Sequence, residues 1–343
     1  MSEQPRILLI YTGGTIGMVQ SPNSPALIPF DFRDLEATLP QLAHIGCSLD
    51  FEVLEPIIDS SNMQPAYWAR LAIEIYNRME QYDGFVVLHG SDTMAYTASA
   101  LSFMFEHLHK PIIFTGSQLP IGITRTDAKE NLITSIEIAS QKSLRGVPLV
   151  QEVCIYFEYH LYRGNRATKM SASHFEAFAS PNYPALAEAG VDLHFEKSQM
   201  LKAPKLPLHL HTDIDTNVIG IKLFPGMQAK HLAHMLETPG LKCAVIETFG
   251  SGNAPTAEPF LETLREAQDR GLHLVNVTQC LRGRVQMGRY EASEFLMELG
   301  MVTGKDITFE SAVTKAMFVL GQGWDGRSFR KRFEKNLRGE LTD

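Results

Sequence analysis

The chain has 343 residues, 44% of them hydrophobic and 20% charged, with a formal net charge of −8. That balance is globular and excludes a disordered or collagen-like chain. The acidic surplus argues against a general binder of nucleic acid or of a membrane surface. The length suits roughly two domains, and no apolar stretch approaches the ~20 residues needed to cross a bilayer. The amino terminus enters its first apolar run without a basic region or a small-residue cleavage site. Cys47, Cys154, Cys243 and Cys280 lie far apart and form no CxxC pair or disulfide framework. A soluble, cytoplasmic protein is expected.

In chain order, Arg6–Tyr11 is an apolar run that predicts a strand, and Leu54–Ile58 is expected as the next. Pro65–Gln81 carries Trp68, Leu71, Ala72, Ile75 and Met79 at helical spacing. Strand Phe85–Leu88 leads into Thr93–Leu108, rich in Ala, Met and Leu and read as a buried helix. Strand Pro111–Thr115, a helix over Asp127–Gln141 and strand Glu152–Phe157 follow. This alternation implies a mostly parallel sheet with helices on both faces. Residues 191–217, with Pro204, Pro207 and no helical period, suit a linker between a domain at 1–190 and one at 218–343. The second domain alternates again: strands Val218–Leu223, Cys243–Glu247 and Leu272–Val277, helices Ala229–Leu236, Pro259–Gln268 and Thr308–Gly321. A charged helix, Arg327–Leu337, closes the chain.

Two short runs carry chemistry. Thr12-Gly13-Gly14-Thr15 and His89-Gly90-Ser91-Asp92-Thr93 each follow a predicted strand, so both fall at the sheet edge where ligands bind. Thr15 lies just past two glycines that let backbone approach a ligand closely. A hydroxyl is a weak nucleophile until a base or its surroundings activate it. Ser91 offers a second hydroxyl and Asp92 a carboxylate; either also suits the N-cap of a helix starting near Thr93. Lys169 is the best-placed ammonium to complete a proton relay, although sequence alone favours a solvated surface lysine. His209-Leu210-His211 lacks partners at metal spacing, so no metal site is expected. His89 suits a structural residue bonded to backbone, and Gln20–Pro25 a flexible loop over Thr15.

At these residues the chain resembles the bacterial-type L-asparaginases, in particular their type I cytoplasmic branch. The resemblance rests on Tyr11–Gly17, Asp59-Ser60-Ser61, His89–Thr97, Thr115-Gly116-Ser117-Gln118, Tyr162–Arg166 and Gly250–Pro255, and it covers nearly the whole chain. It implies an α/β fold: a larger N-terminal, mostly parallel sheet flanked by helices, and a smaller flavodoxin-like C-terminal domain. It implies that Thr15 attacks the side-chain amide carbon of L-asparagine. An acyl-threonine intermediate would then yield aspartate and ammonia without a cofactor. Ser91, Asp92 and Lys169 would form the second catalytic set. Asp59, Ser60 and Ser61 would hold the substrate's α-groups, with Gly14, Gly90 and Ser117 also lining the substrate. Asn253 would reach a neighbouring subunit's site, which implies a homodimer or homotetramer. A glutaminase-asparaginase of relaxed specificity, or a non-catalytic amino-acid sensor with the same fold, remains an alternative.

The chain departs from the family pattern at three places. Leu27 stands where many members have a loop tyrosine. Glu247 stands where an effector-binding arginine is expected beside Thr278, Gln279 and Cys280, so that regulation by asparagine is not expected. Ser91 stands where threonine is usual and lacks the methyl that restricts χ1. Ser91→Thr should therefore hold or raise kcat/KM for asparagine, measured by ammonia release; a fall would contradict this reading.

Overall fold

The computed structural model describes residues 4–20, 27–29, 39–288 and 291–342. The chain forms two compact units, Met1–Thr212 and Asp213–Asp343. Among the described residues the first unit holds an eight-stranded sheet. Its order is Leu193–Phe195, Ala187–Ala189, His160–Arg163, Val153–Phe157, Ile112–Thr115, Gly84–Leu88, Arg6–Tyr11, Ser48–Val53. The strands from Val153–Phe157 to Ser48–Val53 are all mutually parallel, and the remaining three pair antiparallel.

The central strands are buried along their whole length, which is why they read as unbroken apolar runs rather than alternating ones. Helix Ala128–Ser140 packs Leu132, Ile136 and Ala139 against Ile7, Leu9, Val86, Leu88 and Ile113. Helix Met94–Met104 packs against Val153–Phe157 and against helix Pro65–Arg78. It has no charged residue and is buried on nearly every side, as its composition predicts. It ends earlier than expected, because Phe105–Glu106 leaves it to pair antiparallel with His209–Leu210.

Two expectations are corrected. The strand expected at Leu54–Ile58 is Ser48–Val53. Its polar–apolar alternation marks a half-exposed edge strand, whereas Pro56 has no N–H with which to continue the ladder. The stretch 191–217 does not behave as a linker over its first part. Leu193–Phe195 is the outer strand of the large sheet, and His209–Leu210 also pairs within the first unit.

In the second unit, strands Val218–Lys222, Cys243–Thr248, His273–Thr278 and Val302–Thr303 are parallel and in consecutive order. Helices Ala229–Leu236 and Glu258–Asp269 bury Leu232, Leu236, Phe260 and Leu264 against Ile221, Ala244 and Ile246. Helix Phe309–Gly321 packs against the first two of these strands. The chain end folds back onto it. Fully buried Lys315 donates to the carbonyls of Phe333 (2.6 Å) and Lys335 (2.7 Å), and pairs with fully buried Glu340.

Register within the large sheet positions the site. Tyr11 lies level with Val53 on one side and Leu88 on the other, and Leu88 lies level with Thr115. Four neighbouring parallel strands thus end at one height, and the segments that follow them emerge side by side.

Candidate active site

Those segments line a cavity of 460 Å³. Its walls include Gly14, Thr15, Asp59, Ser60, Gly90, Ser91, Asp92, Gln118 and Lys169. Thr12 closes its strand with both its N–H and its hydroxyl donating to the Leu88 carbonyl at 3.0 Å, which ties the first loop to the second. Gly14 sits at φ 93°, and a Cβ there would lie 2.5 Å from the Gly90 nitrogen. A Cβ on Gly90 would in turn lie 2.5 Å from the Ser60 hydroxyl. Glycine at both positions lets three loops touch through backbone. Thr93 adds a bond from its hydroxyl to the Ser60 carbonyl at 2.7 Å.

The Lys169 ammonium donates to the Ser91 hydroxyl at 2.8 Å and to Asp92 Oδ1 at 2.6 Å. Its side chain is only 18% exposed, so it is no solvated surface lysine. Neither Ser91 nor Asp92 caps the helix: Thr93 occupies the N-cap, without a side-chain bond. The Thr15 hydroxyl, at the start of a short 3-10 turn, makes no hydrogen bond among the described residues. It opens on the same cavity as Lys169. Asp59 accepts from the Ser61 hydroxyl (2.6 Å) and the Ser61 N–H (2.8 Å). These two bonds hold its carboxyl below the usual range.

His89 sits behind the second loop and is almost fully buried. Its Nδ1 is 2.6 Å from the Gly90 carbonyl and its Nε2 is 3.0 Å from the Thr97 hydroxyl. Trp68 Nε1 donates to that same hydroxyl at 3.1 Å. The Gly90 carbonyl can only accept, so a proton belongs on Nδ1. Burial pushes the ring's pKa down to about 4 and keeps it neutral, which leaves Nε2 to accept from the Thr97 O–H. The expectation of a structural histidine is met.

Ser117 is not a cavity residue. It is buried, and its hydroxyl is spent on the Leu119 carbonyl at 2.6 Å; its neighbour Gln118 lines the cavity instead. Ser61 also stands outside the lining, bound to Asp59. Asn253 lies in the second unit, in a backbone bridge with Phe249, with its buried side-chain Oδ1 unpaired among the described residues. Gln118, Met18, Ile57, Ile58 and Ala172 complete the lining. Of these, Gln118 stood inside a quoted motif, and the rest carry no chemical signal. Residues 21–25 of the expected flexible loop lie outside the described residues, as does the Leu27 side chain; its backbone pairs with Gln20. The His209 and His211 rings stand edge to face at 4.4 Å, and His211 Nε2 meets Glu106 at 2.8 Å. Among the described residues no group of three or more His, Cys, Asp or Glu could hold a metal ion.

Comparison with known proteins bears on this arrangement. Residues 6–201 match the family model "Asparaginase, N-terminal", and residues 217–333 match "Glutaminase/Asparaginase C-terminal domain". The chain is 41% identical to L-asparaginase 1 of Escherichia coli over 99% of both chains. It is 39% identical to the 60 kDa lysophospholipase of Mus musculus, matching over its whole length but over 63% of that protein. The crystal structure of L-asparaginase I from Vibrio cholerae superposes with a TM-score of 0.90 at 36% identity, covering 99% of this chain and all of that one. A parallel sheet whose loops gather hydroxyls, an acid and an ammonium is thereby defined as that of an α/β amidohydrolase. The chain belongs to the asparaginase family.

The neutral state of His89 has a consequence for stability. Its folded pKa of about 4 lies below the ordinary 6.5, so the unfolded chain takes up the proton first as pH falls. The associated stability is fully present above about pH 6.5 and is lost towards pH 4, about 3 kcal/mol in all. The melting temperature of the native protein should fall more steeply over that interval than that of His89→Asn. Equal slopes would contradict a neutral buried ring.

Proposed function

We propose that the protein hydrolyses L-asparagine to L-aspartate and ammonia, with Thr15 as nucleophile. The observation that carries this reading is the Lys169 ammonium, bonded at once to Ser91 and Asp92 and opening on the same cavity as Thr15. A zwitterionic amino acid needs an anionic group for its ammonium and hydroxyls or N–H groups for its carboxylate. Asp59, Ser60 and Asp92 supply both, with Ser61 positioning the Asp59 carboxylate. With the α-groups held there, the side-chain carboxamide faces Thr15.

The Thr15 oxygen attacks the carboxamide carbon. Backbone N–H groups of the 12–15 and 89–93 loops stabilise the oxyanion that develops. The proton lost by Thr15 reaches the departing nitrogen, ammonia leaves, and an acyl-threonine ester remains. Ser91, with its proton managed by Lys169 and Asp92, orients the water that cleaves the ester and restores Thr15. One water is consumed for each ammonia released, and the reaction requires no cofactor.

The type I resemblance supports a cytoplasmic setting and a homodimer or homotetramer in which Asn253 serves a neighbour's site. No helix among the described residues is long and apolar enough to cross a membrane.

Ammonia release from asparagine and glutamine by native protein and by Thr15→Ala tests the assignment. The variant should lose activity by about a thousandfold or more, while asparagine still binds by calorimetry. Turnover that survives in Thr15→Ala would remove Thr15 as nucleophile. Binding without turnover in the native protein would point to the sensor.

A further inference from the structure

Gln118 stands where the substrate cavity meets a second, larger one. The second space measures 820 Å³, and its walls include Leu119, Ile123, Arg125 and Phe175. The two cavities share Gln118 and Ala172. Neither Asp59 nor Ser60 nor any residue of the 89–93 loop lines the larger one. It therefore opens off the Gln118 and Ala172 side of the substrate cavity, away from the residues proposed above to hold the α-groups.

The Gln118 side chain is fixed in place from both sides. Its backbone N–H donates to Asp127 Oδ2 at 2.8 Å and that of Leu119 to Oδ1 at 3.1 Å, on a buried carboxylate. Asn131 steadies the same turn through the Gly116 carbonyl at 3.1 Å. From this base the side-chain Nε2 donates to the His174 carbonyl at 2.9 Å and lies 3.5 Å from that of Ser171. The loop it grips is itself pinned, with the Ser171 hydroxyl accepting from the N–H groups of His174 (3.0 Å) and Ser173 (3.2 Å). Gln118 thus spans from one wall to the other.

We propose that Gln118 is a specificity-determining residue: bridged to the 171–174 loop, it closes the carboxamide end of the substrate cavity against amides substituted on nitrogen. The inference rests on the proposed asparagine hydrolysis and names the substrate class that this site rejects. Truncation to alanine removes everything beyond Cβ and joins the two spaces. N4-methyl-L-asparagine then fits with its methyl group in the larger one. Its hydrolysis consumes one water, breaks the amide C–N bond and releases methylamine with L-aspartate, as asparagine releases ammonia.

The test is kcat/KM for N4-methyl-L-asparagine relative to asparagine. A merely structural defect lowers both rates and leaves their ratio unmoved. Gln118→Ala should raise the ratio by about tenfold, the scale on which one methyl group is sieved. Gln118→Met keeps the length but not the bond to His174, and should hold the ratio near the native value. Ala172→Gly opens the same wall from the other side and should also raise it, which covers a Gln118→Ala protein that fails to fold. A ratio unchanged in both opening variants overturns the proposal and leaves asparagine hydrolysis standing. A native protein that fails to cleave asparagine overturns both.

Discussion

The site depends on one geometric constraint, the common height at which four parallel strands stop. Val53, Tyr11, Leu88 and Thr115 lie level across the sheet. A slip of one residue in any pair would turn every side chain of that strand to the other face. The buried apolar residues on those strands resist this, so the core fixes the register and the register fixes where Thr15, Asp59, Ser91 and Gln118 begin. Glycine then allows the final approach, because any Cβ at Gly14 or Gly90 would occupy the space of the neighbouring loop. Core packing and site geometry are in this sense one problem.

Charge is arranged sparingly around that geometry. The ammonium of Lys169 sits between a hydroxyl and a carboxylate in the cavity wall. Behind the same loop, the buried His89 is neutral and contributes hydrogen bonds rather than charge. A protonated ring there would be a charge taken out of water, which burial disfavours. The loop is therefore held by polarity at the back and charged only where it faces the cavity. Asp59, kept ionised by Ser61, adds a second acid to the cavity wall.

Much of this was legible in the sequence, and the reasons differ by element. The central strands announce themselves because burial on both faces demands continuous apolar runs, and helix Met94–Met104 does so by lacking charge. Thr15, Ser91, Asp92 and Lys169 were legible as residue types, and the resemblance to the asparaginases linked Lys169 to the other loops across 77 positions of chain. The edge strand Ser48–Val53 was missed because half its residues face water and interrupt the apolar signal. The strand Leu193–Phe195 was missed because a short outer strand carries little hydrophobic information. Ser117 and Gln118 were effectively exchanged: a serine looks more like a ligand group, but its short side chain is satisfied by the Leu119 carbonyl two residues on, whereas the longer glutamine spans the cavity wall. The partnership of Trp68, Thr97 and His89 has no local signature, since its members meet only in the folded core.

The central claim is covalent, and a quenched-flow experiment addresses it most directly. Protein mixed with saturating asparagine, stopped with acid during turnover and digested, should yield the peptide containing Thr15 with an added aspartyl group in ester linkage. Steady ammonia release with that peptide unmodified at every time point, or with the acyl group found on Ser91 instead, would contradict the account.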